Sequence, residues 1–313
     1  MYKTPDLSLW TGRDDPEDGL DALRYHHVLS VCDLNEKTCP SVDTGLLSVD
    51  TELGRVRNKG RIGAAEGPGM IRKYLGNLGW HHGTQTLVDA GQIMPADDDL
   101  EQLQAEQSMY VRQLLQRCRR VVVLGGGHEI AWGNYLAMTQ QFAEARLGVL
   151  NIDAHFDNRR PVHGSTSGTS FFQMYEHAAA QNHEASILTL GIQPTQNTKA
   201  LFKRAEDFGH RYHTADDIRR WGLEGCINHL VTWAGQVDVI YLTVCLDALD
   251  SAVMPAVSAP CTHGLTLNEV CAILRPIKAS GKLKLTDFAE YSPRLDLDHR
   301  GARVVAYLVD QVI

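Results

Sequence analysis

The chain has no run of about 18 apolar residues, and Met1 to Asp15 is polar, without the short apolar core that a secretory leader carries. Neither a membrane span nor a signal peptide is expected, which leaves the cytoplasm as the expected compartment. Basic runs are missing as well. With a net charge of -8 and dispersed lysines and arginines, the chain suits a small polar substrate better than nucleic acid. The seven cysteines, an odd number with no C-x-x-C pair, are scattered from Cys32 to Cys271 and predict reduced thiols rather than a disulfide framework. Also absent are the G-x-S-x-G turn of a serine hydrolase, a nucleotide-binding glycine fingerprint, internal repeats and low-complexity tracts.

What is present is an ordinary globular composition, 43% hydrophobic and 22% charged over 313 residues, enough to bury one large α/β core. A single domain over residues 1–313 is expected, with residues 1–50 a variable N-terminal portion in which Val28–Cys32 and Gly45–Val49 read as strands. Residues 55–68 read as a Gly- and Arg-rich loop that opens a helix marked by Met70, Ile71, Tyr74, Leu75 and Leu78. From residue 99 onward amphipathic segments alternate with β-branched runs, the pattern of βα units around a parallel sheet. Helix Asp99–Cys118 leads to strand Val121–Leu124, helix Ile130–Phe142 to strand Leu147–Ile152, and a helix from Ser170 to strand Ile187–Leu190. Asn197 reads as the cap of a helix striped by Leu201, Phe202, Ala205 and Phe208. Helix Leu223–Ala234 precedes strand Val237–Val244. The capping box Thr266 to Glu269 opens a helix ending near Gly281, after which Leu283–Ala289 reads as a strand and Arg300–Val312 as the last helix.

Carboxyl ends of parallel strands share one edge, where ligands bind. Just past strand Leu147–Ile152 come Asp153, His155 and Asp157, alternate positions that project from one face of an extended backbone. Carboxylate and imidazole donors suit manganese, iron or zinc. Gly125-Gly126-Gly127 allow a tight turn that aims His128 at the same edge, strand 237–244 delivers Cys245, Asp247 and Asp250, and strand 283–289 delivers Glu290. So many acids would repel one another without cations, which points to two metals. Two divalent ions about 3.5–4 Å apart hold a water that ionises near neutral pH, so hydrolysis is the natural chemistry.

Three motifs, G-G-G-H-E at 125–129, N-I-D-A-H-F-D at 151–157 and T-V-C-L-D-A-L-D at 243–250 followed by Pro255 and V-S-A-P at 257–260, resemble the metal motifs of the ureohydrolases. That family holds arginases, agmatinases and formimidoylglutamases, and the resemblance runs from about Arg55 to the C-terminal helix. Arg57 to Pro68, V-S-A-P, Ala289-Glu290-Tyr291, Ser167-Gly168-Thr169, Asn197-Thr198 and Trp10 to Asp15 look most like formimidoylglutamases. The resemblance implies a single-domain, three-layer αβα arginase-like fold with a mainly parallel central sheet. By position it implies one manganese on His128, Asp153 and Asp157, and a second on His155, Asp153 and Asp247, with Asp153 bridging.

Cys245 stands where the family has its other bridging carboxylate. As a softer ligand it weakens manganese, favours zinc or iron, or leaves the second site partly filled. Cys32, also after an apolar run, is the thiol that would pair with Cys245 were the two close. Glu290 is implied to grip the amidine end of the substrate and, with His155, to stand at the reacting atoms. Arg159 is implied to clamp a glutamate carboxylate, with Ser167, Thr169 and Asn158 as further substrate contacts. Phe171 replaces the histidine of arginases, which counts against arginase activity. The activity implied is hydrolysis of N-formimidoyl-L-glutamate to L-glutamate and formamide in histidine degradation, by a homo-oligomer carrying two Mn2+ per subunit. Agmatinase or guanidino-acid hydrolase activity, or a degenerate non-catalytic member whose Cys245 has cost it metal, are the alternatives.

Overall fold

The computed structural model describes residues 1–36 and 39–313. Among these residues ten strands make one sheet: β1 (Tyr2–Lys3), β2 (Ser30–Val31), β3 (Val42–Val49), β4 (Leu87–Ile93), β5 (Cys118–Gly125), β6 (Leu147–Ile152), β7 (Ser186–Ile192), β8 (Arg211–Thr214), β9 (Val239–Cys245) and β10 (Leu283–Ala289). The order is β1-β4-β3-β5-β10-β9-β6-β7-β8, with β2 also pairing β4, and every pairing is parallel except β1 with β4. The helices are α1 (Tyr25–Val28), α2 (Leu53–Arg57), α3 (Gly67–Gly76), α4 (Leu100–Leu115), α5 (Ile130–Gln141), α6 (Ser170–Ala180), α7 (Lys199–Asp207), α8 (Ala215–Ala234), α9 (Leu267–Ala279) and α10 (Arg300–Val312).

The period of two along each buried strand divides the core. Val122, Leu124, Leu150, Ile152, Leu242 and Val244 pack with α3, α8, α9 and α10 on one face. Val121, Val123, Val149, Tyr241 and Leu285 pack with α4, α5 and α6 on the other. Helices on both faces of a largely parallel sheet make the three-layer αβα architecture expected from the sequence. Among the described residues no helix is long and apolar enough to cross a membrane.

The differences from expectation have local causes. Strand Val28–Cys32 shrinks to β2, because Val28 closes α1. β4 is absent from the expected elements, its apolar pattern being interrupted by Asp89 and Gly91; Asp89 is buried against Arg72, with Nε to Oδ2 at 2.8 Å, and Gly91 takes φ 87°. Edge strand β8 is short and polar. Helix α8 begins at Ala215, eight residues before the expected Leu223, and bends at Gly222, whose φ is 70°. Asn197 does not cap α7; Thr198 takes the N-cap position, without a side-chain hydrogen bond, while Asn197 Oδ1 accepts the Phe156 N–H at 3.1 Å and its Nδ2 donates to Ala154 O at 2.8 Å. The expectation of reduced thiols throughout is corrected at Cys32 and Cys39, which form a disulfide. That bond removes Cys32 as a partner for Cys245, which is a free, buried thiol.

Candidate active site

Four neighbouring strands, β5, β10, β9 and β6, end along one edge of the sheet, and the expected residues sit directly after them. The glycine turn past β5 presses against the segment past β3: the Gly126 N–H donates to Val49 O at 3.0 Å and the Gly127 N–H to Thr51 O at 2.9 Å. A Cβ at Gly126 would lie 1.7 Å from that Thr51 oxygen, so glycine is required there. The turn carries His128 inward, where its Nδ1 lies 3.2 Å from Asp153 Oδ2 and 2.9 Å from Asp157 Oδ2. His155 Nδ1 lies 3.1 Å from Asp247 Oδ2 and 3.6 Å from Asp153 Oδ1. Asp153 therefore faces both imidazoles.

Possible ligand atoms gather into two triads that share Asp153: His128, Asp153 and Cys245, and Asp153, His155 and Asp247. Asp157 joins through His128. Hard carboxylate oxygens with imidazole nitrogens fit divalent manganese, with Cys245 Sγ the soft exception. Asp247 Oδ1 supports the same fit, being buried without a hydrogen-bond partner among the described residues. Electrostatics agree: burial opposes charge on His128, but its hydrogen bonds to Asp153 and Asp157 outweigh it and hold the imidazole well above its ordinary range. Burial likewise opposes charge on His155 and is outweighed by Asp247 and Asp153. Burial, with Asp153 and Asp247 adding to it, pushes the Cys245 thiol far up. A cluster that binds protons this strongly has the negative potential a metal cation seeks.

Two site residues sit in left-handed backbone, Asp157 at φ 41° and Glu290 at φ 79°. Such strain persists where the surroundings enforce it; for Glu290 they include its own N–H donating to Gly126 O at 2.7 Å. Glu290 Oε1 accepts the His128 N–H at 3.0 Å, and Oε2 lies 3.2 Å from Nε of Arg55, whose side chain is 1% exposed. Burial pushes the Glu290 carboxyl up to about 7, against the pull of Arg55.

The expected substrate contacts divide. Arg159 is exposed and lines, with Arg57, Asn58, Arg160 and His163, a concavity of about 620 Å³. Ser167 Oγ accepts from Nδ2 of Asn58, one of these lining residues, at 3.1 Å. Thr169 also lines the concavity, its hydroxyl accepting the Thr166 N–H at 2.9 Å, with Gln173 Oε1 of α6 also at 2.9 Å. Asn158 is a correction: it is fully buried and its Nδ2 donates to Leu201 O of α7 at 3.1 Å, away from solvent. A larger cavity, about 700 Å³, lies at the opposite edge of the sheet beside the starts of β6 and β7, where none of these residues is found.

Sequence reasoning missed the supports. His128 Nε2 lies 2.9 Å from Thr243 Oγ1; Thr243 in turn donates to Asp287 Oδ1 at 2.7 Å, and Asp287 also accepts from Asn134 Nδ2 at 2.7 Å and from the Tyr241 hydroxyl. Behind Asp153 stand Asn151, Thr189 and His210, with Asn151 Nδ2 3.3 Å from Asp153 Oδ2 and 3.4 Å from Thr189 Oγ1, and Thr189 Oγ1 2.8 Å from His210 Nε2. Polar residues inside otherwise apolar strands, Asn151, Thr189, Thr243 and Asp287, were the available signal. Arg55 had none beyond its place in an Arg-rich stretch.

A family model described as the Arginase family matches residues 43–313. The chain is 42% identical over 307 residues to a formimidoylglutamase of Aeromonas salmonicida, covering 98% of this chain and 97% of that one. It is 38% identical over 318 residues to a formimidoylglutamase of Ralstonia nicotianae, covering 100% and 97%. Its fold is similar to the crystal structure of formimidoylglutamase from Bacillus subtilis, with a TM-score of 0.84 at 21% identity over 96% of this chain and 93% of that chain. It is also similar to the crystal structure of a Trypanosoma cruzi formiminoglutamase variant with Mn2+2, with a TM-score of 0.80 at 25% identity over 89% and 95%.

Proposed function

Because the chain belongs to the arginase family, we propose that it hydrolyses the formimidoyl C–N bond of N-formimidoyl-L-glutamate, yielding L-glutamate and formamide. The relatives of the same length and up to 42% identity that carry the formimidoylglutamase name support this substrate over agmatine. The observation that carries the reading is the pair of ligand triads sharing Asp153. There His128, Asp153, Asp157 and Cys245 would hold one manganese, and Asp153, His155, Asp247 and Cys245 the other. When bound, the metal pair supplies a water that ionises near neutral pH.

The protein's own groups do the rest. Glu290, fixed at the end of β10, accepts from the nitrogen end of the formimidoyl group and sets its carbon over the triads. Arg159 pairs with a substrate carboxylate at the concavity, and Ser167 adds a hydrogen bond. His155, partly exposed beside Asp247, borders the reacting carbon. Water adds to that carbon, the bond to the glutamate nitrogen breaks, and the glutamate amine leaves with a proton that the water brought. Phe171 is fully buried with its ring centroid 5.9 Å from that of His128; it offers no proton shuttle, which fits an amine leaving group that takes its proton within the site.

Asp153→Ala tests the reading. Stripping the shared carboxylate should remove most of the bound manganese and abolish formamide release, with the fold retained by circular dichroism. Full metal content in the purified variant would overturn the two-metal assignment.

A further inference from the structure

The geometry points to Arg55 as the positioning residue that makes this site choose a formimidoyl group over a guanidino group, acting through Glu290. This rests on the substrate reading above. Arg55 is brought by α2 against the end of β10, with Nε 3.2 Å from Glu290 Oε2 and 1% exposure. Its Nε, Nη1 and Nη2 make no hydrogen bond among the described residues, so the contact with Glu290 is an ion pair. The other Glu290 oxygen already accepts the His128 N–H at 3.0 Å. A carboxylate has about four lone-pair positions; here one on Oε1 is taken, and the Arg55 charge lies against Oε2, before any substrate arrives. Glu129, the second carboxylate near Arg55, is fully buried and tied to α2 by the Gly54 N–H at 3.0 Å. Glu290 is thus the acceptor that meets the substrate's nitrogen end, and part of its capacity is spent on the protein.

A formimidoyl group brings one terminal nitrogen and the bridging N–H, donors that the remaining lone pairs can meet. A guanidino group on the same glutamate brings a further NH2, whose two hydrogens would crowd against the unmatched donors of Arg55. Leaving such a buried donor unmet costs roughly tenfold to a hundredfold in binding. Sites of fixed hydrogen-bonding capacity discriminate strongly on this basis. Arg55 is itself a planar guanidinium resting on Glu290, so it stands where the extra half of a guanidino substrate would seek its partner.

The test uses native enzyme, Arg55→Ala and Arg55→Lys, each loaded with manganese, on N-formimidoyl-L-glutamate and its guanidino counterpart N-carbamimidoyl-L-glutamate. Arg55→Ala should lower the ratio of kcat/KM for the two substrates at least tenfold toward the guanidino compound, mainly through KM, and added guanidinium ion should restore the native ratio. Arg55→Lys, which keeps the charge but not the planar guanidinium, should lie between. A purely structural role would depress both substrates alike, and an unchanged ratio overturns the inference. If Arg55→Ala does not fold, Arg55→Lys decides: a ratio shifted at least threefold supports it and an unshifted ratio overturns it. A native enzyme inert toward N-formimidoyl-L-glutamate would instead refute the substrate reading, which separates the two failures.

Discussion

Thr243 Oγ1 stands 2.9 Å from His128 Nε2, and because its hydroxyl hydrogen is given to Asp287, Thr243 accepts the histidine N–H. That fixes the ring so that Nδ1, not Nε2, turns toward Asp153 and Asp157. Outer partners of this kind orient a ligand and raise its basicity, and their loss costs about 10–100-fold in metal affinity. Thr243→Val should therefore weaken manganese by that order in a chelator competition while barely shifting the melting temperature. Equal affinity in the two proteins would remove Thr243 from the site.

Cys245 is 1% exposed, and burial together with Asp153 and Asp247 disfavours its thiolate. Replacing this reluctant, soft donor with a carboxylate should suit a hard cation better. Cys245→Asp is expected to bind manganese at least tenfold more tightly by calorimetry and to hold it against zinc better than the native chain. A variant no tighter than native would show that position 245 contributes no ligand.

Arg159 is exposed and its side chain forms no ion pair among the described residues, so its removal should spare the fold. Arg159→Ala should raise KM for N-formimidoyl-L-glutamate roughly tenfold to a hundredfold, the value of a lost charged hydrogen bond, with little change in kcat. Unaltered KM would leave the substrate carboxylate to another group of the concavity.

His210 gives a pH test outside the ligand set. Its burial, outweighing the attraction of Asp153, lowers its pKa from 6.5 to about 3. As pH falls below 6.5 the unfolded chain takes up this proton and the folded chain does not, so stability present at neutral pH is lost through that window, at up to about 1.4 kcal/mol per pH unit. His210→Gln keeps a hydrogen-bonding group for Thr189 but cannot titrate. Its unfolding free energy should fall less steeply between about pH 6 and 4, by about that slope; parallel curves would contradict the assignment.

The ligand edge was legible because it follows from one rule: in a parallel sheet, residues just past the strands converge. Asp153, His155, Asp247 and Glu290 each come just past such a strand, Cys245 ends one, and the glycine turn brings His128. What was hidden depends on contacts distant in sequence. Arg55 meets Glu290, and Thr243 links His128 to Asp287, through packing that no local pattern encodes. Asn158 lies one residue past a ligand, yet the chain turns there and sends it under α7. β4 escaped notice because its polar Asp89 is satisfied by Arg72 from a helix earlier in the chain. The Cys32–Cys39 bond was missed for another reason: an odd cysteine count and dispersed spacing suit free thiols on average but say nothing about one close pair.

The most direct measurement is product analysis by NMR after incubating the manganese-loaded native protein with N-formimidoyl-L-glutamate and, separately, with agmatine and arginine. The account predicts stoichiometric formamide and L-glutamate from the first substrate, and no urea from the other two beyond the uncatalysed rate. Urea from agmatine with no formamide from N-formimidoyl-L-glutamate would contradict it.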